Sequence, residues 1–159
     1  MIIIGIDPGS RLCGYGLIEM ENRRVLAAGC DTIDVTGFKS LGERLMALHD
    51  RIKAVLDDYK PEVAAVESMF YHRQIKSVFT LGHARGVILL ALAEFNVPVV
   101  EYSPREIKKS VVGNGNATKL QVRYMINQLY PLSEKARKDD AFDALAIATC
   151  HYNRMKWLK

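Results

Sequence analysis

Two aspartates three positions apart, Asp140 and Asp143, sit in the segment KDDAFDALAIA, whose remaining residues are mostly apolar. On a helix that spacing puts both carboxylates on one face, roughly 5–6 Å apart. Acids in a first helical turn also complement the helix dipole and need do nothing more. Two further acids give the pair a chemical meaning. Asp7 closes the hydrophobic run IIIGI and Glu67 closes VAAV. Neither run has the polar alternation of a half-exposed strand, so both read as central strands of a sheet. If these strands are neighbours, their terminal carboxylates converge at one end of the sheet, and the helix end bearing Asp140 and Asp143 completes a cluster of four. Carboxylates gathered in this way repel one another and attract divalent cations. Hard oxygen donors with no nearby His or Cys favour Mg²⁺ or Mn²⁺. Asp-Pro-Gly after the first strand is also good turn chemistry, so the meaning of Asp7 depends on the elements that position it.

Those elements can be read in order. Residues 2–6, 14–19 and 25–35 read as strands separated by Gly, Asn and Arg, a pattern that joins antiparallel neighbours. Ser40-Leu-Gly-Glu43 is a capping box that opens a helix, with Leu41, Leu45, Leu48, Ile52 and Val55 at helical spacing until Pro61. Residues 63–66 form a short strand ending on Glu67, 75–95 a long helix and 97–102 a fifth strand. Ser103-Pro-Arg-Glu106 joins a second capping box to a proline at the first helical position. After the loop Gly113-Asn-Gly-Asn116, Thr118-Lys-Leu-Gln121 opens another helix, with Leu120, Tyr124 and Leu129 on or near one face. A last helix covers 140–157. No linker or repeat divides the chain. The order predicts one α/β domain over residues 1–159: a five-stranded mixed sheet, three antiparallel strands followed by parallel ones, flanked by helices.

Composition narrows the partners. The chain has 159 residues, with 22 Lys and Arg against 18 Asp and Glu, enough for one core without disulfides. The basic excess points to an anionic partner, nucleic acid before an acidic membrane. Cys13, Cys30 and Cys150 form no CxxC pair, which fits a reducing compartment rather than a disulfide framework. The longest apolar stretch, 86–93, stops at Glu94, well short of the roughly 20 residues that span a bilayer. No signal-peptide pattern opens the sequence. The expectation is a cytoplasmic protein with no membrane association.

Four stretches, GIDPGSRLCGYGLIE, VAAVESMF, LGHARGVILLALAE and KDDAFDALAIATCH, occur in this order over nearly the whole chain. Together they resemble the RuvC family of Holliday junction resolvases. GIDPG alone would be weak, since actin-like ATPases and sugar kinases begin with a similar strand and turn. The resemblance implies an RNase H-like fold and a homodimer that nicks two like-polarity strands of a four-way DNA junction in homologous recombination and DNA repair. It also implies 5′-phosphate and 3′-hydroxyl ends that a ligase could rejoin. The family's metal-binding, catalytic acids fall on Asp7, Glu67, Asp140 and Asp143, with two Mg²⁺ per site and Mn²⁺ able to substitute. The family's spacing, acid-x-x-Asp before Ala-Leu-Ala, selects Asp140 over its neighbour Asp139, which reads as a helix cap. A branch-migration helicase complex of RuvA and RuvB is the implied partner.

The DNA contacts follow from charge, aromatic placement and that resemblance. Phe70 occupies the position of a base-stacking aromatic, and Tyr71, Arg73 and Lys76 share its polar stretch. Such stacking is worth roughly 1–3 kcal/mol per base, and a core role competes for Tyr71. Lys119, at a helix start beyond the Gly/Asn loop, is placed to meet a phosphate. Lys108, with Arg105, Lys109 and Arg123, extends that surface. The helix over 75–95 is apolar on more than one face, and Gly82 and Gly86 permit close approach of a second helix; a two-fold homodimer accounts for the surplus. None of the four histidines has ligand spacing. A module that clamps branched DNA without cutting is the competing class. Four placed carboxylates, which would repel a phosphate backbone, argue against it.

Overall fold

The computed structural model describes residues 1–68, 75–132 and 139–157, apart from the side chains of residues 75–77, 156 and 157. The amino-terminal meander consists of β1 (Ile2–Asp7), β2 (Leu12–Glu21) and β3 (Arg24–Asp34), paired antiparallel. The β2–β3 turn uses Asn22 and Arg23, both at positive φ, the two-residue geometry that matches strand twist. Helix α1 (Leu41–Tyr59) leads to β4 (Val63–Glu67), α2 (Ile75–Glu94) and β5 (Val99–Tyr102). Three helices follow: α3 (Pro104–Val112), α4 (Lys119–Leu129) and α5 (Asp139–Trp157). The sheet order is β3-β2-β1-β4-β5, with β4 parallel to both β1 and β5. The two apolar runs are therefore adjacent strands near the sheet's centre, as their composition requires.

Strand alternation sorts the side chains onto two faces. Ile4, Ile6, Ala64 and Val66 pack with Leu48, Ile52, Ile88 and Leu92 beneath α1 and α2. Ile3, Val63 and Ala65 pack on the other face with Ile107, Val122, Ile126 and Leu145, from α3, α4 and α5. By the same period of two, Asp7 and Glu67 share the second face, which α5 covers. Among the described residues no helix is long and apolar enough to cross a membrane.

All three predicted capping boxes form, with both reciprocal hydrogen bonds at Ser40/Glu43, Ser103/Glu106 and Thr118/Gln121. Two expectations need correction. The buried face of α4 is Val122 and Ile126, whereas Leu120, Tyr124 and Leu129 are exposed. Leu120 and Val122 are two positions apart, roughly 200° around a helix. Either pair could satisfy a helical pattern, and only contact with α5 and α3 chooses between them. Asp139 lies inside the first turn of α5, not before it, and its carboxylate pairs with Arg123 at 2.5 Å.

Candidate active site

The β1–β4 register aligns Ile6 with Val66, so Asp7 and Glu67 follow side by side at the carboxyl ends of the two strands. Helix α5 crosses this end of the sheet at close range because glycines lie beneath it. A Cβ on Gly14 would collide with the Asp140 carbonyl, one on Gly5 with the Ala144 carbonyl, and one on Gly16 would stand 2.5 Å from the Leu145 backbone. Gly14 is the β2 partner of Asp7. The residue beside the first acid thus sets the approach of the helix that brings the third and fourth. Asp7, Glu67, Asp140 and Asp143 line one open cleft of about 770 Å³, together with Lys108 and Lys119.

The electrostatics of the cleft centre on Asp7. Burial, then the charges of Glu67, Asp143 and Asp140, push its carboxyl up from near 3.8 to about 7, with Lys119 opposing. Lys119 donates from Nζ to Asp143 Oδ2 at 2.6 Å, and that hydrogen bond is the main reason its ammonium is held above its usual range. As the side chains stand, no three of the described His, Cys, Asp and Glu residues are drawn close enough to grip a metal ion. The donor set nevertheless fits a hard divalent cation. It consists of carboxylate oxygens on three elements, and the negative charges of Glu67, Asp143 and Asp140 add to burial in raising Asp7.

The sequence-predicted acids are thus brought together. Lys108 and Lys119 line the same cleft. Arg123 is turned to Asp139 and to the ring of Phe142, 4.7 Å from its centroid. Phe70, Tyr71 and Arg73 lie outside the described residues, and Lys76 is the second residue of α2, its side chain also outside them. Cys13 is fully buried close to Asp7, and its thiol is pushed up to about 12, chiefly by burial; it is core, not a nucleophile. Sequence reading did not single out the glycine contacts under α5, although Gly14-Tyr-Gly16 displays an alternation that leaves one strand face bare. It also passed over Arg85, a charge in an otherwise apolar stretch of α2.

A mixed sheet of this order, with acids at the ends of two adjoining central strands and on the helix laid across them, defines an α/β nuclease of RNase H-like fold. The chain belongs to the RuvC family: the family model for crossover junction endodeoxyribonuclease RuvC matches residues 3–151. It is 41% identical over 157 residues to the crossover junction endodeoxyribonuclease RuvC of Heliobacterium modesticaldum, covering 99% of this chain and 97% of that protein. The corresponding protein of Syntrophomonas wolfei is 44% identical over 151 residues, covering 95% and 88%. Among solved structures, Thermus thermophilus RuvC in complex with a Holliday junction substrate superposes with a TM-score of 0.88 at 32% identity, covering 99% of this chain and 96% of that one.

Proposed function

We propose that residues 1–159 form one nuclease domain that resolves four-way (Holliday) junctions in recombination and repair. It does so by paired nicking of two like-polarity strands, leaving 5′-phosphate and 3′-hydroxyl ends. The observation that carries this reading is the gathering of Asp7, Glu67, Asp140 and Asp143 around one cleft edged by Lys108 and Lys119. Its support from outside the chain is a relative solved with a Holliday junction substrate. The four carboxylates would hold the divalent cations, two Mg²⁺ per site with Mn²⁺ able to substitute. Such cations, when bound, acidify an attacking water and neutralise charge on the leaving oxygen of a phosphodiester.

The chain's own residues do the rest. Lys119 rests on Asp143, and an arriving phosphate competes for the same ammonium, freeing the Asp143 carboxylate oxygen from that hydrogen bond. Lys108, on the helix that follows β5, adds a second cation for the backbone. Phe70 stacks on a base exposed at the crossover, and Tyr71, Arg73 and Lys76 continue the DNA path. The domain works as a homodimer. The outward side of α2 exposes Phe79 and Leu90 and leaves open space over Gly82 and Gly86, a face suited to a second copy of the chain. A cytoplasmic branch-migration complex of RuvA and RuvB is the partner that delivers junctions.

The test is cleavage of end-labelled synthetic four-way junctions and of linear duplex, with Mg²⁺ or with EDTA, followed by ligation of the products. The expected result is symmetric, ligatable nicking of the junction alone and only with metal. Metal-independent cutting, or equal cutting of linear duplex, would refute the reading. Asp7→Asn, Glu67→Gln and Asp143→Asn should each abolish cleavage while leaving junction binding intact or tighter.

A further inference from the structure

Arg85 is the one arginine among the described residues that is buried, with 8% of its surface accessible. It belongs to α2, whose Ala84, Ile88 and Leu92 pack in the core on the sheet face of Ile4, Ile6, Ala64 and Val66, and whose Val78, Thr80 and Leu81 line the acid cleft. A guanidinium in such a place requires partners, and it has two. Nη1 donates to the backbone carbonyl of Glu67 at 2.6 Å, and Nη2 meets Glu101 Oε1 of β5 at 2.6 Å. Glu101 is the register partner of Val66, and Ser68 N donates to the Tyr102 carbonyl at 2.8 Å. The peptide that leaves β4 is therefore held by β5 at its nitrogen and by Arg85 at the Glu67 carbonyl.

We propose that Arg85 is a positioning residue for the cleavage reaction: its fork, locked by Glu101, fixes the Glu67–Ser68 peptide and with it the direction of the Glu67 carboxylate. This rests on the reading of Glu67 as a member of the metal-holding cluster. The physical reason is leverage. Glu67 is the last residue of its strand, so the β ladder restrains the carbonyl on its far side weakly, and a planar two-donor fork fixes both position and orientation. α2 is also the helix whose outward side suits a second copy, so a displacement of α2 on pairing would reach the Glu67 carbonyl through Arg85.

The test compares Arg85→Lys, Arg85→Met and Glu101→Gln with Glu67→Gln and the unaltered protein. Four quantities are measured: single-turnover cleavage of saturated four-way junction across a Mg²⁺ titration, the rise in melting temperature that Mg²⁺ gives without DNA, junction affinity in EDTA, and the melting temperature itself. Arg85→Met is expected to lower the cleavage rate by about tenfold or more, since a displacement near 1 Å at a reacting centre can cost 10²-fold. It should also need more Mg²⁺ for half-maximal rate and show a smaller Mg²⁺-induced rise in melting temperature, with junction affinity within about twofold. Arg85→Lys, which keeps the charge but not the planar fork, should recover part of the rate, and Glu101→Gln should show a smaller change in the same direction. Should Arg85→Met fail to fold, Arg85→Lys and Glu101→Gln carry the test. Wild-type rate and Mg²⁺ dependence in the Arg85 and Glu101 variants, with Glu67→Gln inactive, would overturn the positioning role alone. Full activity of Glu67→Gln would instead overturn the reading of the site beneath it.

Discussion

Asp7 should make the metal-free protein less stable as pH rises, and Asp7→Asn should reverse this. Its carboxyl is held at about 7, against an ordinary value near 3.8, by burial first and then by Glu67, Asp143 and Asp140. Between those two values the folded chain binds a proton that the unfolded chain has released, so the slope of unfolding free energy against pH is negative. The stabilisation is complete below about pH 3.8 and is lost as pH rises through about 7. One pH unit of difference corresponds to about 1.4 kcal/mol, so the whole window is worth about 4 kcal/mol at most. Asparagine keeps the shape and removes the charge. In EDTA at pH 8, Asp7→Asn should therefore melt higher than the unaltered protein. About 2–4 kcal/mol corresponds to roughly 5–15 °C for a domain of this size. The gap should shrink steadily toward pH 4, and adding Mg²⁺ at pH 8 should raise the melting temperature of the unaltered protein far more than that of the variant. Thermal denaturation in a pH series with and without Mg²⁺ measures all of this. A variant less stable than its parent at pH 8, or a gap that does not vary with pH, would refute the account of Asp7 as a carboxylate buried among like charges.

Four other outcomes are expected. Asp140→Asn should nearly abolish junction cleavage while Asp139→Asn, whose carboxylate is 73% exposed and already paired with Arg123, stays close to the parent in the same assay; the opposite order would reassign the pair. Lys119→Ala should flatten the dependence of log junction affinity on log salt by about 0.9, the value of one duplex phosphate contact, and an unchanged slope removes Lys119 from the DNA path. Gly14→Ala should lower both cleavage and melting temperature, by about 1–3 kcal/mol as for an overpacked core, because its methyl group would meet the Asp140 carbonyl; full activity would mean that α5 need not sit so close. Phe70→Ala should cut cleavage strongly with little change in melting temperature, whereas truncating a core aromatic costs about 3–5 kcal/mol, so one preparation measured both ways separates stacking from packing.

The features legible in the sequence were those set by local chemistry. Each capping box joins residues three apart, so Ser40, Ser103 and Thr118 announced helix starts that the structure reproduces. The acids at 7 and 67 were legible because an all-apolar run must be a buried strand, and a charge can follow it only at an end. What stayed hidden depends on partners far along the chain. On α4, Leu120 with Tyr124 and Val122 with Ile126 are both i,i+4 pairs, and the buried one is determined by where α5 and α3 lie. Lys119 meets Asp143 across 24 positions, and Arg85 meets the Glu67 carbonyl across 18. Neither spacing has a local signature. The clearest clue left unused was Arg85 itself, because a single charge amid Ala84, Val87 and Ile88 has to find a buried partner.

The mixture of acids in the cleft, three aspartates and one glutamate, follows from the same geometry. Helix α5 lies chiefly over β1 and β2, brought down onto them where Gly5, Gly14 and Gly16 leave no side chain in the way. From β1 and from α5 a short aspartate side chain reaches the space between strand end and helix. β4 is one strand farther out, about 4.8 Å in the sheet direction, and has much less contact with α5. The acid it contributes is Glu67, whose extra methylene shortens that gap. The longer side chain brings an additional freely rotating bond, and so more orientational freedom to restrain than any of the aspartates has. That is the one acid of the four whose own backbone carbonyl is gripped by a buried arginine. Side-chain length and backbone restraint therefore answer the same requirement: four carboxylates from three elements must present their oxygens to one point, and the one from farthest away needs both reach and a fixed base.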